Sequence, residues 1–151
     1  MIGKLTYEQM DEVLQENTIG RIGCNDGDKT YIVPVNYVYD GKFIIAHSFE
    51  GMKIEMMRKN KHVCFEVDEI KDITNWRSVI AWGEYQELTH ERDRYAAMKL
   101  FTDRMLHLKT SKAPTTPAIT AQRVHPDLNE NKRPVIYRIV IIHKTGRFEN
   151  E

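Results

Sequence analysis

The sequence has few cysteines and no zinc-binding pattern. Its 151 residues include two cysteines, Cys24 and Cys64, and six histidines. The two cysteines lie far apart in apolar strand patterns and lack CxxC spacing, so buried thiols are expected rather than a disulfide or a metal pair. The histidines form no HExxH or Cys/His grouping. The sequence therefore predicts no metal site.

Long apolar runs and an excess of charge of one sign are also lacking. The 22 basic and 22 acidic residues cancel, which disfavours a polyanion-binding or membrane-surface protein. No apolar run approaches the roughly 18 residues of a membrane span, and the N-terminus has no apolar signal region. We therefore expect a cytoplasmic protein that binds neither nucleic acid nor membrane. Its length suits one core, so residues 1–151 are predicted to form a single domain.

The most informative stretch begins with two predicted antiparallel strands. Residues 31–39 are rich in β-branched and aromatic side chains, Asp40-Gly41 is a strong two-residue hairpin signal, and residues 42–47 resume the strand pattern. Pro34 donates no ladder hydrogen bond, so the first strand must lie at an edge, a bulge or an opening of the sheet. The residues along this expected interruption are Val33, Pro34, Val35 and Asn36.

The second strand leads through a turn at residues 47–51 into a predicted helix, with Ile54 and Met57 on one face and Lys53 in its first turn. The positive end of a helix disfavours lysine. Lys53 is favoured there if an anion occupies the helix terminus, where free backbone N–H groups bind the anion and the ammonium neutralises it. We interpret this stretch as a phosphate-bearing cofactor site. Its position alone also permits a solvated lysine on a surface helix.

Helix and strand patterns flank this stretch on both sides. Thr6 and Gln9 form a capping box for a first helix, and residues 19–24 are predicted as a strand. Residues 62–67 have the alternation of a half-exposed strand. Residues 76–88 are apolar on both faces, which favours a closed or nearly closed barrel over an open sheet.

The C-terminal third contains a predicted helix, a proline-rich loop and a last strand. Thr89 is the expected N-cap of the helix. The apolar stripe of this helix is assigned to the core and comprises Ala97, Phe101, Met105 and Leu108. Prolines make residues 110–134 irregular, and both a lid or binding loop and a flexible connection fit this composition. Residues 135–142 are the last predicted strand, and residues 144–147 are expected to turn the tail back to solvent.

Three ordered motifs resemble a known family. They are YIVPVNYVYDG at residues 31–41, HSFEGMK at residues 47–53 and WRSVIAWGEYQEL at residues 76–88. Together they resemble the flavin-binding split barrel of the pyridoxamine 5′-phosphate oxidase-like superfamily, and most of all its nitroimidazole-reductase branch. The resemblance covers most of residues 19–88 and the last strand. It implies a mainly β fold, a split β-barrel of the FMN-binding type with flanking helices.

The resemblance also implies the residues of the cofactor site. They are Val33, Pro34, Val35, Asn36, Ala46, His47, Ser48, Lys53, Trp76 and Ser78. In this scheme Lys53 holds the phosphate, the backbone of residues 31–36 runs along the isoalloxazine, and residues 46–48 flank the ring and the ribityl chain. Trp76 and Ser78 reach the flavin from a second subunit, so a homodimer with FMN at the subunit interface is implied.

FMN is expected rather than FAD. One lysine at one helix start offers a terminal-phosphate site, and the sequence contains no GxGxxG cradle for a pyrophosphate. Met52 stands where the family's oxidase has a second phosphate-binding arginine, and the oxidase's C-terminal tryptophan and arginine motif is not recognisable. Oxidation of vitamin B6 is therefore not expected.

Two classes of function remain open for such a site. The first is an FMN-dependent oxidoreductase that reduces small molecules such as nitro compounds, with His47 as the candidate catalytic residue that donates a proton or polarises the substrate. The second is a non-catalytic flavin- or haem-binding carrier or sensor. His47 could equally be a structural histidine, and Trp76 and Ser78 could be ordinary strand residues.

Overall fold

The computed structural model describes residues 1–111 and 133–151 of the chain. The elements within them are, in order, β1 (Ile2–Lys4), α1 (Tyr7–Glu16), β2 (Ile19–Asn25), β3 (Thr30–Asn36), β4 (Val38–Tyr39), β5 (Phe43–Ser48), α2 (Met52–Lys59), β6 (His62–Asp72), β7 (Asn75–Glu87), α3 (Glu91–Ser111) and β8 (Val135–Glu149). The irregular segment predicted over residues 110–134 overlaps the end of α3, and its central part lies outside the described residues.

The strands form one antiparallel sheet that curls into a barrel. Its order is β3-β2-β6-β7-β8-β5-β4, and β1 pairs with β8 beside this path. β3 and β5 also come into contact, although no ladder between them is found in the described part of the chain. The mainly β barrel with flanking helices that the sequence predicts is therefore confirmed, and its split lies between β3 and β5.

The barrel interior holds the main hydrophobic core. Successive side chains of a strand point to opposite faces, and the interior face of β6 buries Val63, Phe65 and Val67, as predicted. α1 and α2 add their predicted apolar faces to the same core, with Leu14 and Ile54 fully buried. Burial of each side chain of this size contributes roughly 1.5 to 3 kcal/mol.

The predicted capping box fixes the start of α1. The Thr6 backbone N–H donates to Gln9 Oε1 at 2.9 Å, and the Gln9 backbone N–H donates to Thr6 Oγ1 at 3.2 Å. Both donors would otherwise lack a partner at the helix end. The helix ends at Asn17, whose side-chain amide donates to the Val13 carbonyl at 2.8 Å and to Glu69 Oε1 at 2.9 Å. α1 is thereby tied to β6.

β3 lies at the edge of the sheet, as Pro34 predicts. Pro34 stands opposite Arg21 of β2. Because proline has no N–H, this pair cannot exchange two ladder hydrogen bonds, so the residues on either side of Pro34 bond to β2 instead. The backbone groups of Ile32, Pro34 and Asn36 consequently point to the free edge.

The predicted hairpin is confirmed with one difference. Asp40 Oδ1 accepts a hydrogen bond from the Lys42 backbone N–H at 2.8 Å, and Gly41 has a φ of 95°, which glycine adopts without strain. The continuous strand predicted over residues 31–39 is wrong, because the chain changes partner at Tyr37. β3 pairs with β2, whereas β4 pairs with β5.

α3 begins later than predicted. His90, rather than Thr89, stands directly before the first helical residue. The Leu88 backbone N–H still donates to the Ile136 carbonyl of β8 at 2.8 Å, which keeps the chain extended at this point and delays the helix. In the predicted apolar stripe, the buried members are Ala97 and Phe101 and the half-buried members are Met105 and Leu108.

β8 continues well beyond its predicted end. Residues 144–147, predicted as a turn to solvent, belong to a strand that runs to Glu149. Residues 144–147 pair with β7 on one side of β8. On the other side, residues 147–149 pair with β1, a strand that was not predicted. Pairing on both sides overrides the local turn signal, as sheet context commonly does.

Candidate functional site

β5 presents the predicted site residues to opposite faces of the barrel. Ala46 faces the interior and is buried. His47 faces outward, where its ring forms a T-shaped contact with Phe101 of α3 and the ring centroids are 4.6 Å apart. Ser48 ends the strand, and its hydroxyl donates to the Phe49 carbonyl at 2.8 Å. His47 is therefore the point at which α3 contacts this region.

α2 begins without a side-chain cap. Gly51 is the N-cap residue of α2. Its backbone is extended, and as glycine it has no side chain to make a capping hydrogen bond. A Cβ on Gly51 would meet nothing nearer than the Phe49 carbonyl oxygen at 4.0 Å, so the approach to the helix end is open. The first backbone N–H groups of an α-helix have no partner within the helix. Together with the helix dipole they favour an anion here.

Lys53 lies in the first turn of α2 and is half-buried. Among residues 1–111 and 133–151, no carboxylate or hydrogen-bond acceptor contacts its ammonium. Burial lowers the pKa of Lys53, and the nearby Cys24 thiol opposes that shift. A cation that is partly removed from water without a counter-charge is unfavourable. An anion at the uncapped start of α2 would supply that counter-charge.

His47 is held in its neutral form. Burial, and then the charge of Lys53, lower the pKa of His47 from its ordinary value of 6.5. A neutral imidazole carries one N–H donor and one acceptor nitrogen. His47 can therefore donate a hydrogen bond to a ligand at neutral pH, but it is poorly suited to act as a cationic acid.

The free edge of β3 completes the region. The side chains of Ile32, Pro34 and Asn36 are exposed on its outer face, and those of Val33 and Val35 are half-buried on the inner face. β3 contacts β5 across the split of the barrel. α2 follows β5 after the turn at residues 49–51. The edge backbone groups of β3 and the uncapped start of α2 can each bind a polar ligand through backbone groups.

Trp76 and Ser78 lie near the start of β7. Trp76 Nε1 donates to Glu149 at 3.1 Å, and Ser78 stands opposite Asp68 of β6 and Arg147 of β8. β3 contacts β5, and Lys53 is close enough to His47 to lower its pKa. In the described part of the chain, no hydrogen bond or ring contact joins Trp76 or Ser78 to His47 or Lys53.

Two neighbours of the site were not predicted as site residues. Cys24, predicted as a buried thiol, is close enough to Lys53 for each to affect the pKa of the other. Phe101, predicted as a core residue of α3, covers His47. Both contacts join residues far apart in sequence, so no local pattern signals them. In the described part of the chain, no three or more His, Cys, Asp or Glu residues form a group that could hold a metal ion.

None of the helices in the described ranges is long and apolar enough to cross a membrane.

Comparisons with known proteins identify relatives of this chain. The family model for pyridoxamine 5′-phosphate oxidase matches residues 6–141. An uncharacterized protein of Rhizobium meliloti is 33% identical over 84 residues, which are 56% of this chain and 56% of that protein. The match thus spans about half the length of this curated relative.

Solved structures share the fold. A FAD-binding protein from Mesorhizobium loti has a TM-score of 0.73 and 29% identity, with 100% of this chain and 98% of that chain covered. The FAD-binding protein from Mycobacterium smegmatis has a TM-score of 0.68 and 21% identity, with 99% and 100% covered. A Bacteroides thetaiotaomicron protein assigned to 5-nitroimidazole antibiotic resistance has a TM-score of 0.71 and 17% identity, with 98% and 87% covered. The predicted split-barrel fold is thereby confirmed.

The half-buried, neutral His47 predicts a pH dependence of stability. Its folded-state pKa is lowered, so between that value and 6.5 the unfolded chain binds more protons than the folded chain. The contribution of His47 is fully present above pH 6.5 and is lost as the pH falls through this window. The free energy of unfolding, measured by urea titration from pH 7.5 to 5.5, should therefore fall less for His47→Gln than for the unsubstituted chain.

The matched control is His62→Gln, which replaces an exposed histidine on β6. Its loss of stability between pH 7.5 and 5.5 should equal that of the unsubstituted chain. Equal pH profiles for the His47→Gln variant and the unsubstituted chain would contradict the assignment of His47 as a half-buried neutral imidazole.

Proposed function

Because the chain belongs to the pyridoxamine 5′-phosphate oxidase family, we propose that it is a flavoprotein that binds FMN at the split of the barrel. One observation carries the proposal: Lys53 is half-buried at the uncapped start of α2, and no residue of the described ranges supplies a counter-charge to its ammonium. A phosphate there would pair with the ammonium and accept hydrogen bonds from the free backbone N–H groups.

The remaining contacts of the proposed site follow from its geometry. His47 and Ser48 end β5 shortly before the turn into α2, so with a phosphate at Lys53 they would flank the ribityl chain and the ring. The outward backbone groups of β3 at Ile32, Pro34 and Asn36 would meet the polar edge of the isoalloxazine. Ala46 is buried inside the barrel, so its side chain would support the strand rather than touch the ligand.

FMN is proposed over FAD on the local chemistry. The similar proteins of Mesorhizobium loti and Mycobacterium smegmatis are FAD-binding by name. In this chain one lysine and one helix start provide a site for a single terminal phosphate, and no GxGxxG cradle for a pyrophosphate is present.

Removal of the Lys53 charge should weaken FMN binding. Lys53→Gln is expected to lower the FMN affinity by about 1.5 to 3 kcal/mol, the scale of a charge-assisted hydrogen bond. Lys59→Gln removes the same charge from the other end of α2 and should leave the affinity nearly unchanged. Both variants can be titrated with FMN and FAD by calorimetry. Equal affinities of the unsubstituted chain for FMN and FAD would contradict the choice of FMN, and an unaffected Lys53→Gln variant would move the phosphate elsewhere.

We further propose a homodimer in which each flavin site is completed by the partner. In the described part of one protomer, Trp76 and Ser78 make no hydrogen bond or ring contact with Lys53 or His47, and the family resemblance assigns their roles to a second copy. The outer face of the sheet offers a surface for that copy, because Ile32, Gly23, Cys64, Trp82 and His143 stand in register across five neighbouring strands. Ile32 is 68% exposed and Trp82 is 42% exposed, and exposed apolar groups of this kind favour a symmetric contact.

A charge placed within this row should separate the protomers. Trp82→Glu is expected to convert a dimer at micromolar concentration into monomers and to weaken FMN binding by roughly tenfold or more, since a buried unpaired charge at an interface is unfavourable. Tyr95→Glu, at an exposed aromatic of α3, is the control and should remain dimeric. Sedimentation velocity measures both. A monomeric unsubstituted chain that still binds FMN would refute the shared site.

The proposed activity is the reduction of small molecules such as nitro compounds. The flavin, when bound, supplies the electron transfer. The residues of this chain supply placement: Lys53 and α2 fix the phosphate, β3 fixes the ring edge, and the neutral imidazole of His47 can donate a hydrogen bond that polarises a substrate. The absence of a recognisable oxidase substrate motif argues against vitamin B6 as the substrate.

A non-catalytic flavin carrier is the second candidate, and one observation favours it. Phe101 packs against the His47 ring, which suits a structural histidine.

Under the catalytic proposal, His47→Ala should change FMN affinity by no more than about 1 kcal/mol and slow the reoxidation of reduced flavin by a nitro compound by roughly 10²-fold. Under the carrier proposal, His47→Ala should lower stability or flavin content while the rate per bound flavin stays unchanged. His62→Ala, at an exposed histidine of β6, is the control, and a Soret band in the purified protein would instead indicate haem.

A further inference from the structure

A network of charged side chains borders the turn that presents α2. Arg58, in the last turn of α2, donates two hydrogen bonds to Glu50, from Nη1 at 2.7 Å and from Nη2 at 2.8 Å. It donates two more to Glu87 of β7, from Nε at 2.8 Å and from Nη2 at 3.2 Å. Glu87 also accepts a hydrogen bond from the Tyr85 hydroxyl at 2.7 Å. One guanidinium therefore joins the turn to the barrel wall.

Glu50, one of the carboxylates of this network, lies next to the start of α2. Glu50 immediately precedes Gly51, the N-cap of α2. A free carboxylate at this position is attracted by the positive helix end and by the unpaired ammonium of Lys53. Such a carboxylate would compete with any anionic ligand for the same donors. In the structure both Glu50 carboxylate oxygens are instead engaged by Arg58.

We propose that Arg58 is a positioning residue that neutralises Glu50 and thereby keeps the anion site at Lys53 open for the flavin phosphate. The inference rests on the proposed function for the identity of the ligand. Glu87 has a supporting role, because it binds the same guanidinium and is itself held by Tyr85. Without Arg58, Glu50 would be free to turn toward the helix end and would repel the phosphate.

The network is suited to this role although it is partly exposed. The Arg58 side chain is 41% exposed and that of Glu50 58%, and a single exposed ion pair contributes little to stability. Here four charge-assisted hydrogen bonds converge on one guanidinium, in the bidentate geometry that gives such pairs directional specificity. Arg58 can reach back to the turn because helical side chains point toward the helix N-terminus.

A rescue experiment tests the proposal, with FMN as the titrated ligand. Arg58→Gln should weaken FMN binding by about tenfold, because Glu50 then faces the phosphate as a nearby like charge. Glu50→Gln should bind FMN at least as tightly as the unsubstituted chain. The double variant should recover the affinity of Glu50→Gln, since the competing charge is gone. Arg138→Gln, at an arginine that bonds to Gln86 and not to this turn, is the control and should bind normally.

The outcomes separate this inference from the proposed function. If Lys53→Gln weakens FMN but Arg58→Gln does not, the inference fails and the proposed site stands. If the double variant binds as weakly as Arg58→Gln, Arg58 acts by supporting the turn, and the neutralising role is overturned. If Lys53→Gln has no effect on FMN binding, the proposed site and this inference both fail. Urea unfolding of each variant without flavin should give equal stabilities, and a marked loss in Arg58→Gln alone would also point to the supporting role.

Discussion

The long antiparallel pairing of β7 with β8 is the constraint on which the rest of the barrel depends. The two strands pair from Trp76 to Glu87 of β7, with a bulge beside Gly83. β6 extends the sheet from one side of this pair, and β5 extends it from the other. The pairing thus sets the positions of β5, which carries residues 46–48, and of the start of β7, which carries Trp76 and Ser78.

Elements whose signals lie within a few residues could be predicted from the sequence. The capping box of Thr6 and Gln9, the turn at Asp40 and the position of Lys53 in the first turn of α2 are all found as predicted. The elements that were missed depend on distant partners. β1 forms because it pairs with β8, and the second half of β8 pairs with β7 and, over residues 147–149, with β1. α3 starts late because Leu88 is still bonded to β8.

The same distinction between local signals and distant contacts applies to the residues of the candidate site. Local motifs placed residues 46–48 and Lys53 on consecutive elements, and strand alternation then directed Ala46 inward and His47 outward. No sequence pattern could show that Phe101 covers the His47 ring or that Cys24 lies beside Lys53, because these contacts arise when α3 and α2 pack onto the barrel. The sequence thus predicts which residues border the opening, while their protonation and exposure are set by tertiary packing.

The charge balance at the start of α2 explains why the Arg58 network matters in this chain in particular. Met52 contributes no charge at the position where the family's oxidase has an arginine, so Lys53 is the cation of the first turn, and Glu50 and Glu55 are the acidic residues beside it. Two free carboxylates would outweigh one ammonium and disfavour a phosphate. Engagement of Glu50 by Arg58 removes one of these charges, which leaves Lys53 and the helix dipole with a field that favours an anion. A site with two cations would tolerate a free Glu50, whereas a site with one depends on this neutralisation.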